Sequence, residues 1–119
     1  MRRMLIVEDE RDVSECLADF FSAKGFAVAS SFSGEEALEK LEEETVDVIL
    51  LDILLPGISG IEVLRRAKAK HPDAMVVMVT SLDQIDIRQE AHRFGAAAYV
   101  TKPFDFSAET WSAVLTDAV

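Results

Sequence analysis

The chain predicts a doubly wound α/β domain on a parallel sheet, and three observations carry that prediction. Apolar runs of strand length alternate with amphipathic stretches of helical length, five times along 119 residues. The runs at 46–51 and 75–79 are apolar at almost every position, with Asp47 the exception. A strand of that kind must be covered on both faces, as a central parallel strand is by helices above and below. The links are also short, which favours βα units in a single sheet. No repeat, low-complexity tract or linker interrupts the pattern, so one domain is expected over residues 1–119.

The elements follow in order. Residues 4–7 form the first strand, and a helix is expected over 11–24, burying Val13, Leu17, Phe20 and Phe21 at helical spacing. Gly25 suits the left-handed residue that ends a helix. A weaker strand, 27–31, leads to Ser33-Gly34-Glu35-Glu36, a capping box in which Glu36 reaches back. That helix buries Ala37, Leu38 and Leu41, and the Glu42-Glu43-Glu44 run is its solvated end. Strand 46–51 follows. A second capping box, Ser59-Gly60-Ile61-Glu62, opens a helix that Pro72 closes. Strand 75–79, a helix over 83–94 ending at Gly95, and strand 98–101 come next. Ser107 is expected to cap a last helix burying Trp111, Val114, Leu115 and Ala118.

Bulk properties exclude several functions. A net charge of −10 opposes nonspecific binding to nucleic acid or to an anionic membrane surface. No stretch approaches the roughly 20 apolar residues of a membrane span. Arg2-Arg3 and the short apolar run after them lack the length of a signal peptide. The lone Cys16 forms no internal disulfide and fits a reducing cytoplasm. It is expected as a small core filler on the first helix, because no base lies beside it.

The strand ends carry the chemistry. Glu8 and Asp9 follow the first strand, Asp52 the third, Thr80 the fourth and Lys102 the fifth. In an open parallel sheet ligands bind outside the carboxyl ends of the strands. Three carboxylates gathered there repel by about 1–4 kcal/mol per pair unless one is protonated or a cation neutralises them. Hard oxygen ligands suit Mg2+, and His71 and His92 lie too far off in sequence to build a zinc site. An ionised Asp52 near such a cation can attack phosphorus, with Lys102 countering charge on the phosphoryl oxygens and the Thr80 hydroxyl bonding one of them. Ser81, being small, leaves a route to the site. Each residue alone has a plainer role: Asp9 as a helix cap, Thr80 as a β-branched strand end, Lys102 as a loop lysine, Tyr99 as a half-buried strand aromatic. Their joint spacing on consecutive strand ends argues against that.

Those residues resemble the receiver domain of two-component response regulators, over essentially the whole chain. The matching signature is Glu8-Asp9, Asp52 within Asp-Ile-Leu-Leu-Pro-Gly, Thr80, and Thr101-Lys102-Pro103-Phe104. The resemblance implies a flavodoxin-like (βα)5 fold with strand order 2-1-3-4-5. It implies Asp52 as phosphoacceptor, direct Mg2+ ligation by Asp52, Asp9 and the Leu54 carbonyl, and a contribution from Glu8 mainly through water. Lys102 would contact the phosphoryl group, and the Lys102–Pro103 bond would be cis. Thr80 and Tyr99 match the switch pair. The phosphodonor would be a phosphohistidine on a sensor histidine kinase or phosphotransfer domain, docking on the first helix and the 102–106 loop. The output partner or domain is unassigned, and the domain would be a monomer or a weak phosphorylation-dependent dimer. It would catalyse only its own phosphorylation and dephosphorylation.

Two departures from the family pattern have consequences. Leu54 and Leu82, two residues after Asp52 and Thr80, offer no hydrogen bond to orient an attacking water, so a long-lived phosphorylated state is expected. Ala96-Ala97-Ala98 precedes the last strand and no Lys or Arg follows Lys102, which argues against the charged dimer of winged-helix regulators. Two rival readings remain. An aspartyl-nucleophile phosphatase of the haloacid dehalogenase type needs a second acid where Leu54 stands, and a cap for which the chain has no room. A degenerate receiver acting as a scaffold would not need the full set of acids with Thr80 and Lys102. The end at Val119 fits a single-domain regulator or a receiver cut from a longer protein.

Overall fold

The computed structural model describes residues 2–116. Five parallel strands, β1 (Arg3–Val7), β2 (Ala27–Ser31), β3 (Val48–Leu51), β4 (Met75–Thr80) and β5 (Ala98–Thr101), lie in the order β2-β1-β3-β4-β5. Between and after them run α1 (Arg11–Ala23), α2 (Gly34–Glu43), α3 (Gly60–Lys70), α4 (Ile85–Arg93) and α5 (Ser112–Thr116). The expected fold class and strand order are both present.

Alternation along the strands explains their continuous apolar composition. Leu5, Val7, Ile49, Leu51, Val76 and Met78 face one side, where Ala37 and Leu41 of α2, Val63, Leu64 and Ala67 of α3, and Ala91 of α4 cover them. Met4, Ile6, Val48, Leu50, Val77 and Val79 face the other side, against Leu17 and Phe21 of α1, Trp111, and Val114 of α5. β1, β3 and β4 thus each feed two cores, with successive side chains on opposite faces. At about 25 cal/mol per Å2, each fully buried Leu, Ile or Phe contributes about 1.5–3 kcal/mol.

Local chemistry sets most boundaries. Gly25 and Gly95 take positive φ (98° and 105°) where α1 and α4 end. Ser33 caps α2 by accepting the Glu36 N–H, while Glu36 reaches back one residue further than expected, accepting the Phe32 N–H at 2.7 Å. Ser59 likewise accepts the Glu62 N–H. Glu62 does not close its box: Arg65 and Arg66 draw its carboxylate outward, with contacts of 2.6 and 2.7 Å. The capping bond of a neutral N–H loses to three charge-assisted bonds from the two arginines.

Other differences have similar causes. β3 starts two residues late, because the Asp47 side chain accepts the Arg3 N–H at the strand's entrance. Ser107 caps a turn at 108–111 rather than a helix, since Asp105 Oδ1 gathers Ser107 and Thr110 into a local knot; α5 begins at Ser112. Trp111 and Val114 are buried as expected and Leu115 partly so, whereas Ala118 lies outside the described residues. Cys16 is exposed, not core. The buried stripe of α1 runs through Ser14, Leu17 and Phe21, and at about 100° per residue position 16 falls about 100° or more from each of them. No helix among the described residues is long and apolar enough to cross a membrane.

Candidate functional site

Backbone ladders that run one residue past the strands bring the site together. Glu8 donates its N–H to Ser31 O (3.0 Å), Asp52 to Val7 O (3.1 Å) and Lys102 to Thr80 O (2.9 Å). Each residue therefore sits at a level fixed by its neighbouring strand, and the side chains leave the sheet at one edge. The start of α3 locks Asp52 further. A Cβ on Gly60 would lie 2.0 Å from the Asp52 carbonyl oxygen, so only glycine lets the helix begin there. The Gly60 N–H meanwhile donates to Ile53 O at 2.9 Å.

Lys102 is the hub. Its Nζ lies 2.7 Å from Glu8 Oε1, 2.9 Å from Asp52 Oδ2 and 3.2 Å from Glu10 Oε1. Asp52 Oδ1 accepts the Leu54 N–H at 3.1 Å. Glu8 Oε2 accepts the Glu10 N–H at 3.1 Å, but its Oε1 faces Lys102 as an ion pair without hydrogen-bond alignment. Glu8, Asp52 and Thr80 are buried, at 1%, 3% and 0% exposure. Burial pushes the Glu8 carboxyl above its ordinary value, and the Lys102 contact offsets only part of that. Burial also opposes the charge on Lys102. Its close pairing with Glu8, its hydrogen bond to Asp52 and their negative charges outweigh that penalty, so its pKa stands above that of free lysine.

One ammonium thus faces three carboxylates, and one carboxylate oxygen lacks an aligned donor. Ligand oxygens of Glu8, Glu10 and Asp52 lie within 4.8 Å of one another. A donor set made only of carboxylates, with negative charge in excess, fits a hard divalent cation such as Mg2+. Glu10 belongs to this group although no motif pointed to it. Its position as N-cap of α1 immediately after the acid pair is the signal that could have found it. Asp9 is exposed and stands outside the group.

The remaining site residues meet at Leu82. Its N–H donates to Thr80 Oγ1 (3.4 Å), and its carbonyl accepts the Tyr99 hydroxyl (2.6 Å). Tyr99 is half-buried as expected, and Arg88, paired with Asp83, lies 4.7 Å over its ring. Burial raises the Tyr99 pKa, so its hydroxyl stays protonated and able to donate. Leu54 is about half exposed (52%) and Leu82 partly buried beside the site. The Lys102–Pro103 bond is cis. A cleft of about 590 Å3 opens between α1 and the loop after β5, lined by Glu10, Asp12, Val13, Cys16, Ser81, Lys102, Pro103, Phe104 and Phe106, so that it shares Glu10 and Lys102 with the site. His71 lies apart, bonded through Nε2 to Leu41 O.

Comparison with known proteins gives a consistent picture. The family model for the response regulator receiver domain matches residues 4–110. Sporulation initiation phosphotransferase F of Bacillus subtilis is 33% identical over 87% of this chain and 83% of that protein. A cyclic di-GMP phosphodiesterase of Thermotoga maritima is 40% identical over 84% of this chain, which spans only 27% of it. Among solved structures, the response regulator protein TrrA of Thermotoga maritima in complex with Mg2+-BeF superposes with a TM-score of 0.84. It is 30% identical, and all of both chains is covered.

Proposed function

The chain belongs to the response regulator receiver domains of two-component signalling, and on that premise we propose that Asp52 accepts a phosphoryl group from a phosphohistidine of a sensor histidine kinase or phosphotransfer domain. The observation that carries the proposal is the shared hub: Lys102 Nζ 2.9 Å from the Asp52 oxygen, beside a three-carboxylate group suited to a divalent cation. The TrrA complex, which holds Mg2+-BeF, supports Mg2+ as that cation. Bound there, Mg2+ would neutralise the excess carboxylate charge and the charge of the arriving phosphoryl group. Asp52, Asp9 and the Leu54 carbonyl would hold it directly and Glu8 mainly through water, the set that the family resemblance implies.

The chain's own residues then have definite tasks. The Leu54 N–H orients the Asp52 carboxylate through Oδ1. An Asp52 oxygen attacks phosphorus; the new O–P bond forms as the P–N bond to the imidazole breaks, and its electron pair stays on the ring. Lys102 moves its ammonium from carboxylate to phosphoryl oxygen. Thr80, released from accepting the Leu82 N–H, donates its hydroxyl to the phosphoryl group. Leu82 also holds the Tyr99 hydroxyl, so this change frees Tyr99 and repositions the loop before α4. A kinase or phosphotransfer domain would dock in the cleft between α1 and the 102–106 loop. The domain acts on itself rather than as a turnover enzyme, in the cytoplasm, and hands its signal to an output partner.

Incubation with Mg2+ and acetyl phosphate, followed by intact-mass measurement, tests this reading. One added phosphoryl group on the wild type and none on Asp52→Asn is the expected result. No adduct under excess donor and Mg2+ overturns it and favours a constitutive scaffold. The decay of the adduct reads the apolar flank of the site: Leu82→Gln should shorten its lifetime about 3- to 10-fold by offering water a hydrogen bond. An unchanged decay rate removes Leu82 from that role.

A further inference from the structure

Of the three carboxylates around Lys102, Glu10 is the exposed one. Its side chain is 64% exposed, against 2% for Glu8 and 4% for Asp52. It is the N-cap of α1 but makes no capping bond with its side chain. Among the described residues its side chain pairs with Lys102 alone, at 3.2 Å. It also stands where the cleft meets the site, so a phosphodonor entering by that route passes it. A phosphodonor brings its own negative charge toward this point. The cost of passing a fixed carboxylate grows with that charge and falls with added salt.

We propose that Glu10 is a specificity-determining residue for phosphoryl transfer, which disfavours small dianionic phosphodonors relative to less charged ones and so insulates Asp52 from them. The inference rests on Asp52 being the phosphoacceptor. Glu10 acts in two ways. It repels the incoming donor, and it holds part of the Lys102 charge that would otherwise meet the phosphoryl oxygens. Neutralising Glu10 removes both effects and leaves Asp52, Glu8 and the fold in place.

The test compares acetyl phosphate, a dianion that loses acetate, with phosphoramidate, a monoanion that loses ammonia, at saturating Mg2+. Phosphorylation rates are followed by intact mass for wild type, Glu10→Gln and Glu10→Asp. Glu10→Gln should speed reaction with acetyl phosphate about 3- to 10-fold at low ionic strength and with phosphoramidate about 2- to 3-fold. The gain should shrink as salt is added, and Glu10→Asp, which keeps the charge, should show no such gain. A donor ratio and salt dependence equal to wild type overturn the proposal while leaving Asp52 as phosphoacceptor. A fall in rate that higher Mg2+ restores also overturns it, since Glu10 would then be holding the cation. If wild type takes up no phosphoryl group from either donor, it is the premise that fails.

Discussion

At the carboxyl edge of the sheet one ammonium, Lys102, faces three carboxylates. On the outer face of α3 one carboxylate, Glu62, faces two guanidiniums, those of Arg65 and Arg66. The two clusters are near mirror images in charge, and solvent makes them opposites. Arg65 and Arg66 are more than half exposed (56% and 54%), so water and salt share their charge. Glu62 keeps 29% exposure and pairs with both arginines. Their hydrogen bonds draw its pKa down to about 2. At Lys102 two of the three partners, Glu8 and Asp52, are buried, and burial is the largest influence on both Glu8 and Lys102. An exposed excess of charge is absorbed by solvent, but a buried one is left for a ligand to neutralise. That difference separates a surface ornament of α3 from a site that responds to a cation or a phosphoryl group.

The sharpest way to break the comparison is to remove each central charge. Lys102→Met should cut phosphorylation by about 100-fold. It should also lower stability by about 1–2 kcal/mol in metal-free buffer, below the full cost of breaking a buried pair because the site opens to water. Thermal unfolding with and without Mg2+ checks this, and added Mg2+ should recover part of the loss. Glu62→Gln, the matching change on α3, should leave phosphorylation as it is and move Tm less than Lys102→Met does. An equal Tm loss in the two variants would mean that burial is not what distinguishes them.

A smaller effect sharpens the same contrast. Carbon-detected NMR titration of the side-chain carboxyls, without divalent cation, should place Glu8 above the ordinary glutamate value of 4.5 and Glu62 near 2. The linkage signs then differ. The raised Glu8 pKa favours folding fully below 4.5 and loses that contribution as pH rises through its folded value. The lowered Glu62 pKa contributes above 4.5 and is lost as pH falls toward 2, weakly and in a salt-dependent way because the group is solvated. Both groups titrating at the ordinary value would remove the asymmetry.

Much of this site was legible in advance. Glu8, Asp52, Thr80 and Lys102 stand at strand ends, and strand ends are marked by where apolar runs stop. The parallel ladder then converts position in sequence into position at one edge. Glu10 was not legible, because an exposed acid at a helix start looks like any other surface acid until Lys102, 92 residues away, comes within 3.2 Å. Cys16 was misplaced for a related reason. A small apolar residue on an amphipathic helix fits either side of the stripe, and only the packing of Leu17 and Phe21 against the sheet decides which. The bridge at Leu82 was invisible too, since backbone groups carry no signature in side-chain pattern.

The sequence by itself determined the strands, the two-faced sheet and the residues that reach its carboxyl edge. Those follow from local periodicity and from apolar runs that must be covered on both sides. Tertiary structure alone decided how one lysine is divided among Glu8, Asp52 and Glu10, which glutamate is buried, and whether Glu62 closes its capping box. Each of those outcomes depends on distance and water between groups far apart in the chain or competing for the same partner. Electrostatic energy at a few ångströms is set by that geometry, which the order of residues does not encode locally.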